Sequence, residues 1–209
     1  MLFLRTIKWG LALAIVAALG AGCVHNPRRP VAKPFDLPQD SRLVMGVPFF
    51  PDDTNLCGPA SLAATLTFYG YPTTVAEAAA GVQRWDIGGS LGPDLVLWAR
   101  ERGANARFFA ADPDTLVAMI ARQNPVIVQV DEGLGPIVKG HFMVIVGYNF
   151  EGVVANNGLI QQEIIPWSRF LTDWYAMGYF AIAVERETAE GTPAGNGGGD
   201  APALPETGI

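Results

Sequence analysis

The sequence predicts an α+β domain spanning residues 41–186, and three observations predict it. Helical apolar spacing runs from Pro59 to about Gln123, β-branched runs fill Pro125 to Glu185, and the two patterns are segregated rather than alternating. Segregation argues against βαβ units and a parallel sheet. With 209 residues, half of them hydrophobic, the chain has material for one ordinary core plus appendages.

The domain is expected to open with a short strand at Gly46–Phe50, followed by a polar loop from Pro51 to Leu56. Pro59 suits the first turn of a helix, where its missing N–H is no loss, and Ala60, Ala63, Ala64, Leu66 and Tyr69 continue at helical spacing to Gly70. That places Cys57 at or just before a helix N-terminus. Two further helices are expected at Val75–Val82 and Pro93–Arg102. A fourth follows Asp112, a candidate N-cap before Pro113. The strands follow as PVIVQV, HFMVIVGYN, GVVAN and QEIIP, then a short helix around Arg169–Tyr175 and a closing strand YFAIAVE. Trp85, Trp98 and Trp174 are read first as core residues and only second as the lining of a cleft.

The segments outside this span have their own signatures. Residues 1–22 carry Arg5 and Lys8 ahead of the apolar stretch GLALAIVAALGA, and Cys23 follows Gly20-Ala21-Gly22. The segment resembles a bacterial lipoprotein signal, in which the cysteine becomes the acylated first residue; Gly20 stands where leucine is usual. Cys23 is therefore the expected lipid-attachment site, and the expected location is the cell envelope, anchored to the membrane by the N-terminal lipid. Val24 after the cysteine points, in a bacterium with two membranes, to the outer membrane facing the periplasm. Residues 23–40 contain four prolines and read as a tether. Residues 187–209 are rich in Gly, Ala and Pro and read as a disordered tail. The tail holds Leu204-Pro205-Glu206-Thr207-Gly208, a sortase-like motif, but with only Ile209 after it wall anchoring is not expected.

Composition excludes several functions. The net charge is −6 and no cluster of Lys or Arg provides a footprint for nucleic acid. One Cys and one His in the domain do not make a closed zinc site, so no metal is expected. Gly88-Gly89-Ser90-Leu91-Gly92 lacks the Lys-Ser/Thr ending of a phosphate loop and reads as a turn forming one wall of a cleft.

Cysteine usage is the sharpest clue. The chain has two cysteines, and if Cys23 carries lipid then Cys57 has no disulfide partner within it. An unpaired thiol in an exported protein is either a buried small hydrophobe or a dedicated nucleophile. A nucleophile must be held ionised, and a helix N-terminus together with an imidazolium does this. Of the two histidines, His25 lies in the tether, which leaves His141 at the start of a strand. A Cys–His pair also needs a third group to orient the imidazole. Either Asn156 or Asn157, at the end of GVVANNG, can accept the second ring N–H, although a turn alone also explains asparagine there.

VPFFPDDTNLCGPASLAATLTFYG, then a helical middle, then GHFMVIVGYNFEGVVANNG resembles the papain-like cysteine peptidases related to the double-glycine leader peptidases that process bacteriocin precursors. Within that group it is most similar to stand-alone lipoproteins that lack the transporter. The resemblance covers most of residues 46–185. It implies a papain-like α+β fold with N-terminal helices packed on a C-terminal antiparallel sheet, a peptide or protein substrate and no cofactor. It implies Cys57 as nucleophile, His141 as general base and acid, and Asn157 as the residue orienting the imidazole. The family places a glutamine a few residues before the cysteine as oxyanion donor, and this chain has Asp52 in that region. A carboxylate cannot donate to an oxyanion. Asn55 and backbone N–H groups at the helix start are the remaining donors. The sequence thus leaves three readings: a cysteine peptidase, a catalytically degenerate module that binds a peptide or envelope partner, and a thiol-dependent acyl transferase.

Overall fold

The structure, a computed structural model, describes residues 35–133 and 137–185. The signal segment, Cys23, most of the tether and the tail lie outside the described residues, and everything below belongs to the unit that begins at Leu37.

Five helices are described: α1 (Cys57–Phe68), α2 (Val75–Val82), α3 (Gly92–Glu101), α4 (Pro113–Ala121) and α5 (Trp167–Ala176). Nine strands accompany them: β1 (Arg42–Leu43), β2 (Gln83–Arg84), β3 (Gly89–Ser90), β4 (Asn105–Ala110), β5 (Val126–Asp131), β6 (Gly140–Tyr148), β7 (Gly152–Asn157), β8 (Ile160–Pro166) and β9 (Phe180–Glu185). Apart from the β2–β3 hairpin, the strands form one antiparallel sheet in the order β4-β9-β5-β6-β7-β8. The short β1 pairs with the far end of β6, Leu43 opposite Gly147, on the edge that β5 leaves free.

α1 is the helix on which the site is built. Its residues are small or apolar on every side, and it is buried continuously from Gly58 to Leu66, as expected of a helix without a polar face. Leu62 and Leu66 have no exposed surface, so truncating either to alanine should cost about 2–5 kcal/mol. α1 packs on β5 and β6 and against α2 and α3. The crossing of α2 and α3 is close because residue 81 is glycine: a Cβ there would overlap the indole of Trp98. Both peripheral helix starts are capped as the sequence implies. Thr74 and Glu77 form a reciprocal capping box, and Asp112 accepts from the Thr115 N–H at 2.6 Å; removing either cap costs about 1 kcal/mol.

β6 is buried at every position from Phe142 to Tyr148, so both faces of the central strand are covered. The last helix contributes Phe170 and Trp174, stacked with ring centroids 5.2 Å apart. The buried Trp174 indole is satisfied by the Phe180 carbonyl at 2.9 Å.

The expected α+β class and the packing of N-terminal helices on an antiparallel sheet agree with this architecture. Three local expectations change. Gly46–Phe50 is not a strand; the pairing falls earlier, at Arg42–Leu43. Asn105–Ala110 is a strand within the helical half, paired along its length with β9, so helices and strands are less segregated than the sequence implies. Of the three tryptophans, Trp98 and Trp174 are core, whereas Trp85, at the tip of the β2–β3 hairpin, is 76% exposed.

Candidate active site

Cys57 is the first residue of α1 and is partly exposed. The helix begins without a side-chain cap and without an acidic residue in its first turn. Its first intrahelical bond runs from the Ala60 N–H to the Leu56 carbonyl at 2.8 Å. The N–H groups of Cys57 and Gly58 therefore have no acceptor within the helix. Gly58 is required by close approach: a Cβ would lie 2.9 Å from the Ser90 Cβ and 3.4 Å from the Phe142 ring. β3 and β6 thus close directly on the first turn of α1, and the sequence-predicted wall at Gly88-Gly89-Ser90 stands beside the thiol.

His141 enters from the start of β6. Its Nε2 lies 2.8 Å from Asn157 Oδ1, and Asn157 Nδ2 donates to Glu163 Oε2 at 2.7 Å. Sheet register explains the first contact. Val144 pairs with Asn156, so Asn157 falls opposite Met143 and on the same strand face as His141, within diagonal reach. The neighbouring Asn156 does something different. It is 8% exposed, and its Oδ1 accepts from the Gln162 N–H at 3.1 Å, across a register shift in the β7–β8 pairing.

With Nε2 engaged, Nδ1 is the ring nitrogen left for other partners. Glu132, just beyond β5, places Oε2 3.6 Å from it. The His141 side chain is only 13% exposed. Burial is the largest single influence and favours the neutral ring. Hydrogen bonding and charge interaction with Cys57, the Glu132 carboxylate and the Asn157 hydrogen bond together outweigh it, so the imidazole holds its proton above the ordinary histidine value.

The residues before Cys57 divide between two cavities. Asp52 lines a cavity of about 20 Å³ behind the thiol, with Phe142, Asn156 and Gly158. Its Oδ1 accepts from the Thr54 N–H at 3.1 Å and from the Thr54 hydroxyl at 2.5 Å, so it acts as an acceptor in a local turn. Asn55 instead lines an open cleft of about 310 Å³ that also contains Cys57, His141, Gly88 and Lys139. Ile87 and Val138, 57% and 66% exposed, stand on the rim of this cleft. Among the described residues, no three His, Cys, Asp or Glu side chains converge as a metal site would require.

The structure therefore brings Cys57, His141 and Asn157 together, with Asn55 on the cleft and Asp52 behind it. Sequence reasoning missed Glu132 and Glu163. A signal for the second exists in the β7–β8 hairpin, because a short turn at Gly158-Leu159 returns β8 alongside Asn157. A regular ladder continuing from Asn157↔Ile160 would, however, deliver Gln162 opposite Ala155, and only the register shift places Glu163 there.

Solved structures share this fold, three of them as follows. A C39-like peptidase from Bacillus anthracis matches with a TM-score of 0.60 at 17% identity, covering 72% of this chain and 100% of its own. A double glycine motif protease from an AMS/PCAT transporter, solved in complex with the leader peptide, matches with a TM-score of 0.54 at 21% identity, covering 71% and 99%. The peptidase domain of Streptococcus ComA, a bi-functional ABC transporter involved in a quorum sensing pathway, matches with a TM-score of 0.56 at 24% identity, covering 68% and 100%. No curated protein sequence matches the chain. The sequence profile described as the Peptidase_C39 like family matches residues 44–182, about two thirds of the chain, and the chain belongs to that family.

Proposed function

We propose that this protein is a cysteine peptidase that hydrolyses a peptide bond with Cys57 as nucleophile, His141 as general base and acid, and Asn157 as the residue orienting the imidazole. The observation that carries the reading is the largely buried ring of His141, which engages Asn157 through Nε2 at 2.8 Å and lines the same cleft as Cys57. Nδ1 takes the thiol proton, and the thiolate attacks the carbonyl carbon of the scissile bond. The proton then passes to the departing amine, leaving a thioester on Cys57. Water, deprotonated by the same imidazole, releases the acid product.

The oxyanion formed in each half-reaction needs donors. The Cys57 N–H at the uncapped start of α1 is one, and Asn55 on the cleft side is the proposed second. Asp52, held as an acceptor by Thr54, is not a donor. The substrate class is a peptide or protein, a reading supported by family membership and by the leader peptide bound to one structural relative. The lipoprotein-like segment supports a further proposal: lipid on Cys23 holds the domain at the cell envelope, at the outer membrane facing the periplasm.

Incubation of the full chain with a proteome-derived peptide library, read by mass spectrometry, tests the activity. The expected result is new peptide termini that disappear in Cys57→Ala. Termini that persist in that variant would sink the reading. Stable peptide binding without cleavage would favour a binding module instead, the alternative that Asp52 at the expected glutamine position supports. Transfer of the acyl group to an added amine in place of water would identify a transferase.

A further inference from the structure

We propose that Glu163 is a positioning residue for the Cys57–His141 pair: by holding Asn157 Nδ2 it fixes the amide so that Oδ1 faces His141 Nε2, which keeps the Nδ1 lone pair for Cys57 against the opposing pull of the Glu132 carboxylate 3.6 Å away. The inference rests on the cysteine-peptidase reading of those residues.

The two ends of an asparagine amide have nearly the same shape, and an imidazole nitrogen donates or accepts according to tautomer. The His141–Asn157 contact by itself therefore selects nothing. With Oδ1 toward the ring, Nε2 carries the proton and Nδ1 has a lone pair for the thiol proton. With Nδ2 toward the ring, Nε2 becomes the acceptor and the neutral ring carries its proton on Nδ1, where it cannot receive one from Cys57. An ionised carboxylate only accepts, so Glu163 breaks the tie. Its Oε2 takes Asn157 Nδ2 at 2.7 Å, and a flipped amide would press two acceptors together. Glu163 is half-buried, and its carboxylate accepts from the Asn157 amide.

The backbone carries the same conclusion independently. A regular β7–β8 ladder would bring Gln162 opposite Ala155, and a neutral amide, able to donate and accept, would enforce no orientation. The ladder is instead shifted so that Ala155 faces Glu163. Gln162 sits at φ 56°, in the left-handed region disfavoured for a residue with a side chain. Asn156 Oδ1 holds the Gln162 N–H at 3.1 Å. One asparagine thus fixes the irregularity that delivers Glu163, and the next receives it.

Charged and titratable groups reach His141 from several elements: Cys57 from α1, Glu132 beyond β5, and Lys139 on the shared cleft. A test must separate Glu163 from these. Nitrogen-15 NMR of the imidazoles in the full chain, with His141 assigned by loss of its signals in His141→Gln, reads tautomer and titration directly. The neutral ring is expected to be predominantly the Nε2–H form. Glu163→Gln should turn it into a mixture and lower the titration midpoint by about half a pH unit, roughly a threefold change in proton affinity. Asn157→Ala should also lose the tautomer preference, and adding Glu163→Gln to it should change nothing further.

An unchanged tautomer and midpoint in Glu163→Gln overturns the proposal. So does an equal shift in the Asn157→Ala background, which would make Glu163 a remote charge. Should Glu163→Gln fail to fold, judged by near-ultraviolet circular dichroism, the unsubstituted chain still decides: a mixed tautomer there overturns the proposal. Glu163-dependent tautomer selection beside a Cys57 that alkylates as an ordinary thiol would uphold the positioning role and contradict the peptidase reading, so the two fail separately.

Discussion

The two sides of Cys57 are built to different standards. On the imidazole side, His141, Asn157 and Glu163 follow one another at 2.8 Å and 2.7 Å on three adjacent strands of one sheet. On the side proposed for the oxyanion stand a loop, a carboxylate turned to Thr54, an asparagine facing the cleft and the uncapped start of α1. A thiolate–imidazolium pair depends on electrostatics that a sheet fixes well. Transition-state stabilisation depends on donors placed at the spot where charge develops. On the proposed mechanism, the difference teaches that the nucleophile and its imidazole would be held by regular structure, whereas the oxyanion donors would be left to a loop.

The largest expected effect comes from breaking the better-built side. His141→Ala should slow peptide cleavage by about 100- to 10,000-fold, measured as initial rates on a peptide from the library experiment. Next comes the other side: Asn55→Ala should lower kcat by about 100- to 1000-fold with little change in KM. Failure of Asn55→Ala to alter kcat would leave the backbone N–H groups as the donors.

The paired asparagines sharpen the contrast within one strand. Asn156→Ala should destabilise the fold by about 1 kcal/mol, because it removes the acceptor that the buried Asn156 side chain gives the Gln162 N–H, as read by urea unfolding. Asn157→Ala should spare stability by comparison and cost kcat. If both variants behave alike, the division of labour between them is wrong.

The smallest effect concerns Glu132. Folded His141 binds its proton more tightly than the unfolded chain does, so this contribution favours folding fully below about pH 6.5 and is lost as pH rises through the higher folded value. Glu132→Gln removes one of the groups holding that proton. The melting temperature difference between parent and Glu132→Gln should therefore be greatest below about pH 6 and narrow as pH rises.

Much of this molecule is legible in its sequence. Pro59 and the run to Leu66 mark α1, Thr74 and Asp112 mark the starts of α2 and α4, and the β-branched runs mark β5 to β7 and β9. These signals are local, which is why they can be read. β4 escaped because NARFFA has no β-branched residue, and its partner β9 lies some seventy residues later, a pairing no sequence window contains. Gly46–Phe50 looked like a strand on composition, yet Pro48 lacks a ladder donor, and Phe49 and Phe50 line the small cavity behind Cys57 instead. For the site, one cysteine at a helix start and one histidine at a strand start were visible by position. Position alone does not separate Asn156 from Asn157, which differ by a one-residue change of strand face; only the family resemblance favours Asn157. Glu132 and Glu163 were invisible because loop geometry and a register shift place them.

The most direct test of the central claim is the rate of Cys57 alkylation from about pH 4 to pH 10, read at the Cys57 peptide of the full chain and compared with His141→Ala. Rapid alkylation that persists below about pH 6 and is lost in the variant is the predicted result, the behaviour of a poised thiolate–imidazolium pair. A rate that rises only with a midpoint near about pH 8.5, and is the same in His141→Ala, would contradict it.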